Sequence, residues 1–277
     1  MYIKWIQLKT NRYVQAYPKQ NCAVEKGLIM LSTVYLLFMS LLAGILTGII
    51  GMASLTLYPV LLSIGIAPIS ANATITVATV GAGVGTVTSS LKELKNHWKT
   101  ALIVACLSTV GSIIGAFILI HSSNSGFKRV VPFFILLAGS MLLWPSKNSN
   151  NHKELSLWRN VVGWLSVVLI GLYNGYFGAA SGLLMIAVLS KVVGGEYATY
   201  NAIRNFESLI NNIVSAIMFI IMLKIQWQVM IPLVLGLLIG GYIGPIIVRF
   251  IPSKIIKKIV GIVALILASI LMYQAYF

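Results

Sequence analysis

Aspartate is absent from all 277 residues, and only five glutamates stand against twenty lysines and arginines. Charged residues make up 9% of the chain, where a soluble domain carries roughly 25%. That scarcity excludes a water-facing surface over most of the protein. The two cysteines, Cys22 and Cys106, fall in a polar tail and in an apolar run, so neither a disulfide framework nor a thiolate metal site is expected. His97, His121 and His152 lie in connecting regions without a ligand-like grouping, and no base accompanies any serine or threonine within an apolar run. Metal binding and nucleophilic catalysis are therefore not expected, and the chain reads as a non-enzyme. Gly81-Ala-Gly83-Val-Gly85 has the look of a dinucleotide loop, but it follows no strand of a βαβ unit, so no cofactor is expected.

What the chain has in abundance is apolar length. Hydrophobic residues are 58% of the sequence and the mean hydropathy is +0.94. Apolar stretches recur at about the 18 residues or more that cross a bilayer core of roughly 30 Å, so the expected fold is an all-α integral membrane protein. The net charge of +15 sits mostly in short connections and in the N-terminal tail. Cations at the ends of spans follow the positive-inside bias, a better account than nucleic-acid binding. Residues 1–27, with Lys4, Lys9, Arg12, Lys19 and Lys26, show no apolar core of a secretory signal and read as a basic cytoplasmic tail.

One pattern is written twice. Gly44-xxx-Gly48-xx-Gly51 returns 127 residues later as Gly171-xxx-Gly175-xx-Gly178. Asn72-Ala73, Trp98 and Gly111-xxx-Gly115 return 129 later as Asn201-Ala202, Trp227 and Gly240-xxx-Gly244, which implies two added residues near Gly194-Gly195. The reading is two homologous halves, residues 28–145 and 159–277, joined by a polar linker over 146–158. Ten apolar segments are legible: about 28–50, 53–66, 68–90, 100–120, 129–144, 160–178, 180–193, 197–223, 228–249 and 256–275. The second of each half is short and follows a glycine triplet. The expectation is about eight full spans plus two short broken or re-entrant helices, with turns at Gly48, Gly51, Gly175 and Gly178. With eight crossings the halves run parallel, and 12 Lys/Arg fall inside against 7 outside. Ten crossings give 8 against 11. The bias favours eight, with both termini cytoplasmic and the protein in the plasma membrane.

Among the five acids only Glu207 lies well inside a span, three residues after Arg204 and so on the same helix face. Ionisable groups within the bilayer are expensive and mark functional positions unless they merely pair with one another, pinning two helices. Asn201, Asn205, Ser208, Asn211, Asn212 and Ser215 crowd the same segment, a polar stripe that lines a wet path or a helix interface. The equivalent segment of the first half has Asn72, Thr74, Thr76 and Thr79. Two facing polar helices, one with a lone arginine, suit a small anion. The expected ligands are Arg204, Asn205, Asn201, Asn211, Asn72, Thr74 and Thr76, with Glu207 as the candidate for proton or sodium coupling.

The same residues resemble the sulfite exporter (TauE/SafE-like) transporters. Gly44-xxx-Gly48-xx-Gly51, Pro59, Gly65, Pro68 and Ala71-Asn-Ala-Thr resemble the first half of that family. Gly171-xx-Asn174-Gly175-Tyr-Phe-Gly178, Asn201-Ala-xx-Arg204-Asn205, Trp98, Trp227 and Gly240-Gly241-xx-Gly244 carry the rest. The resemblance covers about residues 35–275. It implies a secondary carrier for sulfite, an organosulfonate or a related small anion, working by alternating access. A passive anion channel and a non-transporting scaffold are the alternatives that the residues leave open.

Overall fold

The computed structural model describes residues 21–143, 157–179, 181–193, 196–250 and 253–276. Most of the basic tail, most of the linker and the Gly194-Gly195 insertion lie outside the described residues. Within them there are ten long helices and no strands. They are α1 (Asn21–Ile50), α2 (Ala53–Ser63), α3 (Pro68–Ser89), α4 (Trp98–Ile120), α5 (Asn124–Leu143), α6 (Leu157–Tyr176), α7 (Ser181–Val192), α8 (Tyr197–Met222), α9 (Met230–Val248) and α10 (Ser253–Tyr276). A single turn at Leu91–Leu94 and a 3-10 turn at Trp227–Val229 join neighbours.

Each of the ten expected apolar segments is a helix. Four stretches, Thr33–Ile50, Trp98–Ile120, Tyr197–Met222 and Trp227–Val248, are long and apolar enough to cross a bilayer on their own. Their outer faces present large apolar side chains such as Ile113, Phe117, Ile217 and Ile239, as lipid contact requires. Polar side chains turn inward instead: Ser40, Asn72, Thr74, Ser108, Ser112, Asn201, Asn211 and Ser215 are buried. With no water to receive them in hydrocarbon, these groups find partners inside the bundle.

Small residues set how closely the helices approach. Gly44 and Gly48 of α1 lie against Gly240, Gly241 and Gly244 of α9, and a Cβ at Gly48 would stand 2.8 Å from Gly244 Cα. The same device joins α6 to α4, where Gly171 and Gly175 meet the backbone of Ser108 and Ser112. Further packing pairs α3 with α9, α8 with α4, α3 with α8, and α5 with α10. Exchanging α1 for α6, α3 for α8 and α4 for α9 maps these pairs onto one another.

Helix directions follow from which residues meet. Ser40 reaches Pro232 while Gly48 meets Gly244, so α1 and α9 are parallel. Gly81 meets Val234 and Ser89 meets Arg249, so α3 shares that direction. Gly83 meets Leu209 and Ser90 meets Asn205, so α8 runs against α3. Ser108 with Glu207 and Ser112 with Ser215 make α4 parallel to α8, and Ser108 with Gly171 then Ser112 with Gly175 make α6 parallel to α4. Helices α1 and α6 are thus opposed, which differs from the parallel arrangement that the charge count favours. The reason is local: α2, though only 11 residues long, turns the chain back, so α3 starts in the same direction as α1. Lysines in late loops constrain orientation too weakly to reveal this.

Candidate functional site

Two helix breaks meet at the centre of the bundle. Helix α1 stops where Gly51 takes φ 75°, and α6 stops before Gly178 at φ 73°. Both are left-handed conformations that cost a residue with Cβ about 1–2 kcal/mol, so glycine is required. Gly48 and Gly175, expected at these turns, lie instead inside α1 and α6, one turn earlier. Their missing side chains serve helix packing, because a Cβ at either would strike the facing backbone. The first break touches the start of α7: a Cβ on Gly51 would come within 2.7 Å of Gly182 Cα and 2.9 Å of Arg204 Nη1.

Arg204 fills that junction from α8. It is 1% exposed, the largest fully buried side chain among the described residues. Nη1 donates to Thr47 O at 2.9 Å and Nη2 to Asn201 Oδ1 at 2.7 Å, while Nε has no partner. The Arg204–Glu207 ion pair, one reading of their spacing, is not formed. Among the described residues the single salt bridge is Arg249–Glu93, at 2.8 Å. Arg204 therefore keeps a full positive charge among neutral partners, a costly state that an incoming anion would relieve.

Beside the guanidinium is a small cavity of about 40 Å³, room for water-sized groups or a compact ion rather than for a drug-sized ligand. Thr47, Gly51, Ala53 and Ser54 line it from the first break, and Asn174, Phe177, Gly178 and Ser181 from the second. Thr76 and Thr79 of α3 face Arg204, Ser208 and Asn212 of α8. The N-termini of α2 and α7 both begin at this wall, and the first amides of a helix have no intrahelical acceptor. One guanidinium, two helix starts, amides and hydroxyls make up the wall, and the hydroxyls of Thr47, Thr76 and Thr79 now donate to the helix carbonyls of Ala43, Asn72 and Thr76, from which a ligand would draw them. Such a wall suits an oxyanion and has no carboxylate to repel it.

Of the residues expected to touch substrate, Arg204 and Thr76 line this cavity. The others hold its frame. Asn201 Nδ2 donates to Gly48 O at 3.0 Å and Asn72 Nδ2 to Tyr176 O at 3.1 Å, so each clasps the last turn of a broken helix from the opposite half of the sequence. Thr74 Oγ1 accepts the Gln226 N–H at 3.1 Å, and Asn205 Nδ2 donates to Ser90 Oγ at 3.2 Å. Asn211 and Glu207 face α4, where both bond Ser108. Sequence reasoning missed Thr47, Ser54, Asn174 and Ser181. The repeat held the signal, since Thr47 and Asn174 are 127 apart, as are Ser54 and Ser181. Thr79 and Ser208 are 129 apart, and by that offset Arg204 has Ile75 as its counterpart.

A family profile described as "Sulfite exporter TauE/SafE" matches residues 36–271. The chain is similar to the probable membrane transporter protein YfcA of Escherichia coli K12, 21% identical over 178 residues, 64% of this chain and 66% of that protein. It is also similar to a probable membrane transporter protein of Haemophilus influenzae, 24% identical over 169 residues, 60% of this chain and 66% of that protein. The matched stretch thus spans just under two thirds of each relative's length. No solved structure matches.

Proposed function

We propose a transport function for this chain, which belongs to the sulfite exporter TauE/SafE family and is a multi-pass membrane protein. It is a secondary carrier for a small anion, with sulfite or an organosulfonate as the substrate class that the family description suggests. The observation that carries this reading is Arg204: buried, without an acidic partner, and facing a cavity walled by neutral donors. A bound oxyanion would take up Nε and the amides at the starts of α2 and α7, and the hydroxyls of Thr76 and Thr79 would turn to it from the carbonyls of Asn72 and Thr76 that they now bond.

The helix directions favour two inverted halves related by an axis in the membrane plane, and this replaces the parallel arrangement. The two cavity-forming breaks then exchange roles when the bundle rocks, which is the geometry of alternating access. Both termini lie on one side in this scheme, and the plasma membrane is the expected location. A single charged binding site where two helix breaks meet favours a carrier over an open channel, because saturable binding at one site is what a carrier requires.

Purified protein in liposomes tests this. Counterflow of methanesulfonate or sulfite that saturates with concentration is the expected result. Current that rises in proportion to voltage without saturation would mean a channel, and no flux of either kind would leave only a scaffold.

A further inference from the structure

A second polar cluster lies behind the cavity, between α8 and α4. Glu207 is 2% exposed at its centre. Ser108 Oγ and Asn211 Nδ2 both donate to its Oε1, and Ser208 Oγ donates to its Oε2 at 3.3 Å. Thr109 Oγ1 donates to Asn211 Oδ1 at 2.7 Å, and Ser112 and Ser215 share a hydrogen bond at 3.0 Å one turn on. Ser208 belongs to both places, since it also lines the cavity beside Arg204.

We propose that Glu207 is a proton-binding site that couples proton movement to the anion cavity, with the Ser208 hydroxyl as the link between them. This rests on the transport reading above and adds the coupling ion to it. The step balances simply. A proton reaching Ser208 Oγ from the cavity binds a lone pair, the hydroxyl proton passes to Glu207 Oε2, and carboxylate becomes carboxylic acid. Release on the other side of the cycle reverses the transfer.

Three features select a proton. The carboxylate's partners, Ser108, Asn211 and Ser208, all present protons to it, and a sodium ion would require these hydroxyls and the amide to turn their lone pairs inward instead. Among the described residues no cation forms an ion pair with Glu207: Arg204, one turn earlier on α8, is engaged with Thr47 and Asn201 and acts on the carboxylate only through space. Nor, among the described side chains, does a neighbouring element bring another charge to it. Helix α3 has no ionisable residue, and on α4 Lys99 and Cys106 are exposed. Glu93 of the short turn pairs with Arg249, and Lys191 of α7 lies near the far end of that helix. On α6, Tyr173 bonds Ala179 O; on α8, Tyr197 bonds Ile49 O. Tyr35 of α1 and Tyr242 of α9 are exposed.

The test uses full-length protein and methanesulfonate, which stays a monoanion across the pH range of the assay. Wild-type liposomes should show counterflow at equal pH and several-fold faster uptake under a pH gradient. E207Q should keep the counterflow and lose the acceleration, and S108A should keep the counterflow and shift the pH of half-maximal acceleration. Infrared difference spectra of purified protein give an independent readout, a protonated-carboxyl band that titrates in wild type and is missing in E207Q. Acceleration that survives in E207Q, a band unchanged by E207Q, or a sodium gradient that replaces the pH gradient would each overturn the proposal. Absence of wild-type counterflow with the titrating band intact would count against the transport reading while leaving the proton site standing.

Discussion

Arg204 donates to the carbonyl of Thr47 at 2.9 Å, so the guanidinium also closes the end of α1, where a helix shows its partial negative charge. One side chain thereby joins the charge of the site to the break that shapes it. Replacing it tests both roles. Arg204→Ala should abolish saturable anion flux while leaving expression intact, because removing an uncompensated buried charge offsets the lost hydrogen bonds. Arg204→Lys keeps the charge but loses the fork, and its anion affinity should fall about tenfold, equivalent to roughly 1.4 kcal/mol. Thermal shift against methanesulfonate, set beside flux, reads the two effects separately.

The three left-handed glycines among the described residues should rank by what surrounds them. Gly65, at φ 88°, has nothing within 4 Å of where a Cβ would stand, so Gly65→Ala should cost about 1–2 kcal/mol of strain and spare transport. Gly178→Ala adds contacts at 3.0 Å to Asn174 Oδ1 and at 3.1 Å to Asn174 O, both longer than those at Gly51, and should be intermediate. Gly51→Ala meets backbone at 2.7 Å and Arg204 at 2.9 Å, and should be the most damaging to flux. Equal loss from all three would contradict this ranking.

Asn201 holds Arg204 on one side and Gly48 O on the other. Asn201→Ala should weaken anion affinity by a few-fold to about tenfold, in line with one lost hydrogen bond to a charged group. Asn72→Ala, which frees only Tyr176 O, should lower the melting temperature with a smaller effect on affinity. A titration of thermal stabilisation against anion concentration separates them.

The Glu93–Arg249 pair is partly exposed, with side-chain exposures of 19% and 33%. A double-mutant cycle with Glu93→Gln and Arg249→Gln should give a coupling of about 0.2–1 kcal/mol that fades with added salt. Arg249 also donates to Ser89 O at 2.9 Å, so Arg249→Gln alone should cost more stability than Glu93→Gln alone.

Much of this was legible in the residues. Apolar length marked all ten helices, and the lone span acid and arginine marked α8, because hydrocarbon penalises any charge without a purpose. The glycine triplets located the breaks, but which glycine turns and which one packs depends on φ and on the facing helix. Amides such as Asn72 and Asn205 looked like ligands because polarity in a span has two uses, to meet a substrate or to hold another helix, and spacing alone does not separate them. Direction was hidden for a similar reason: α2 is too short for hydropathy to say whether it crosses or turns back.

The glycine seams between α1 and α9 and between α4 and α6 bear on motion. Where backbone rests on backbone, a slide of one helix along another finds no knob to lift from its hole and no rotamer to exchange. Resistance to shear along those lines should be low, while separation of the pair, which would open a gap that lipid chains fit poorly, stays costly. The bundle is therefore built to glide along two tracks and to resist splaying.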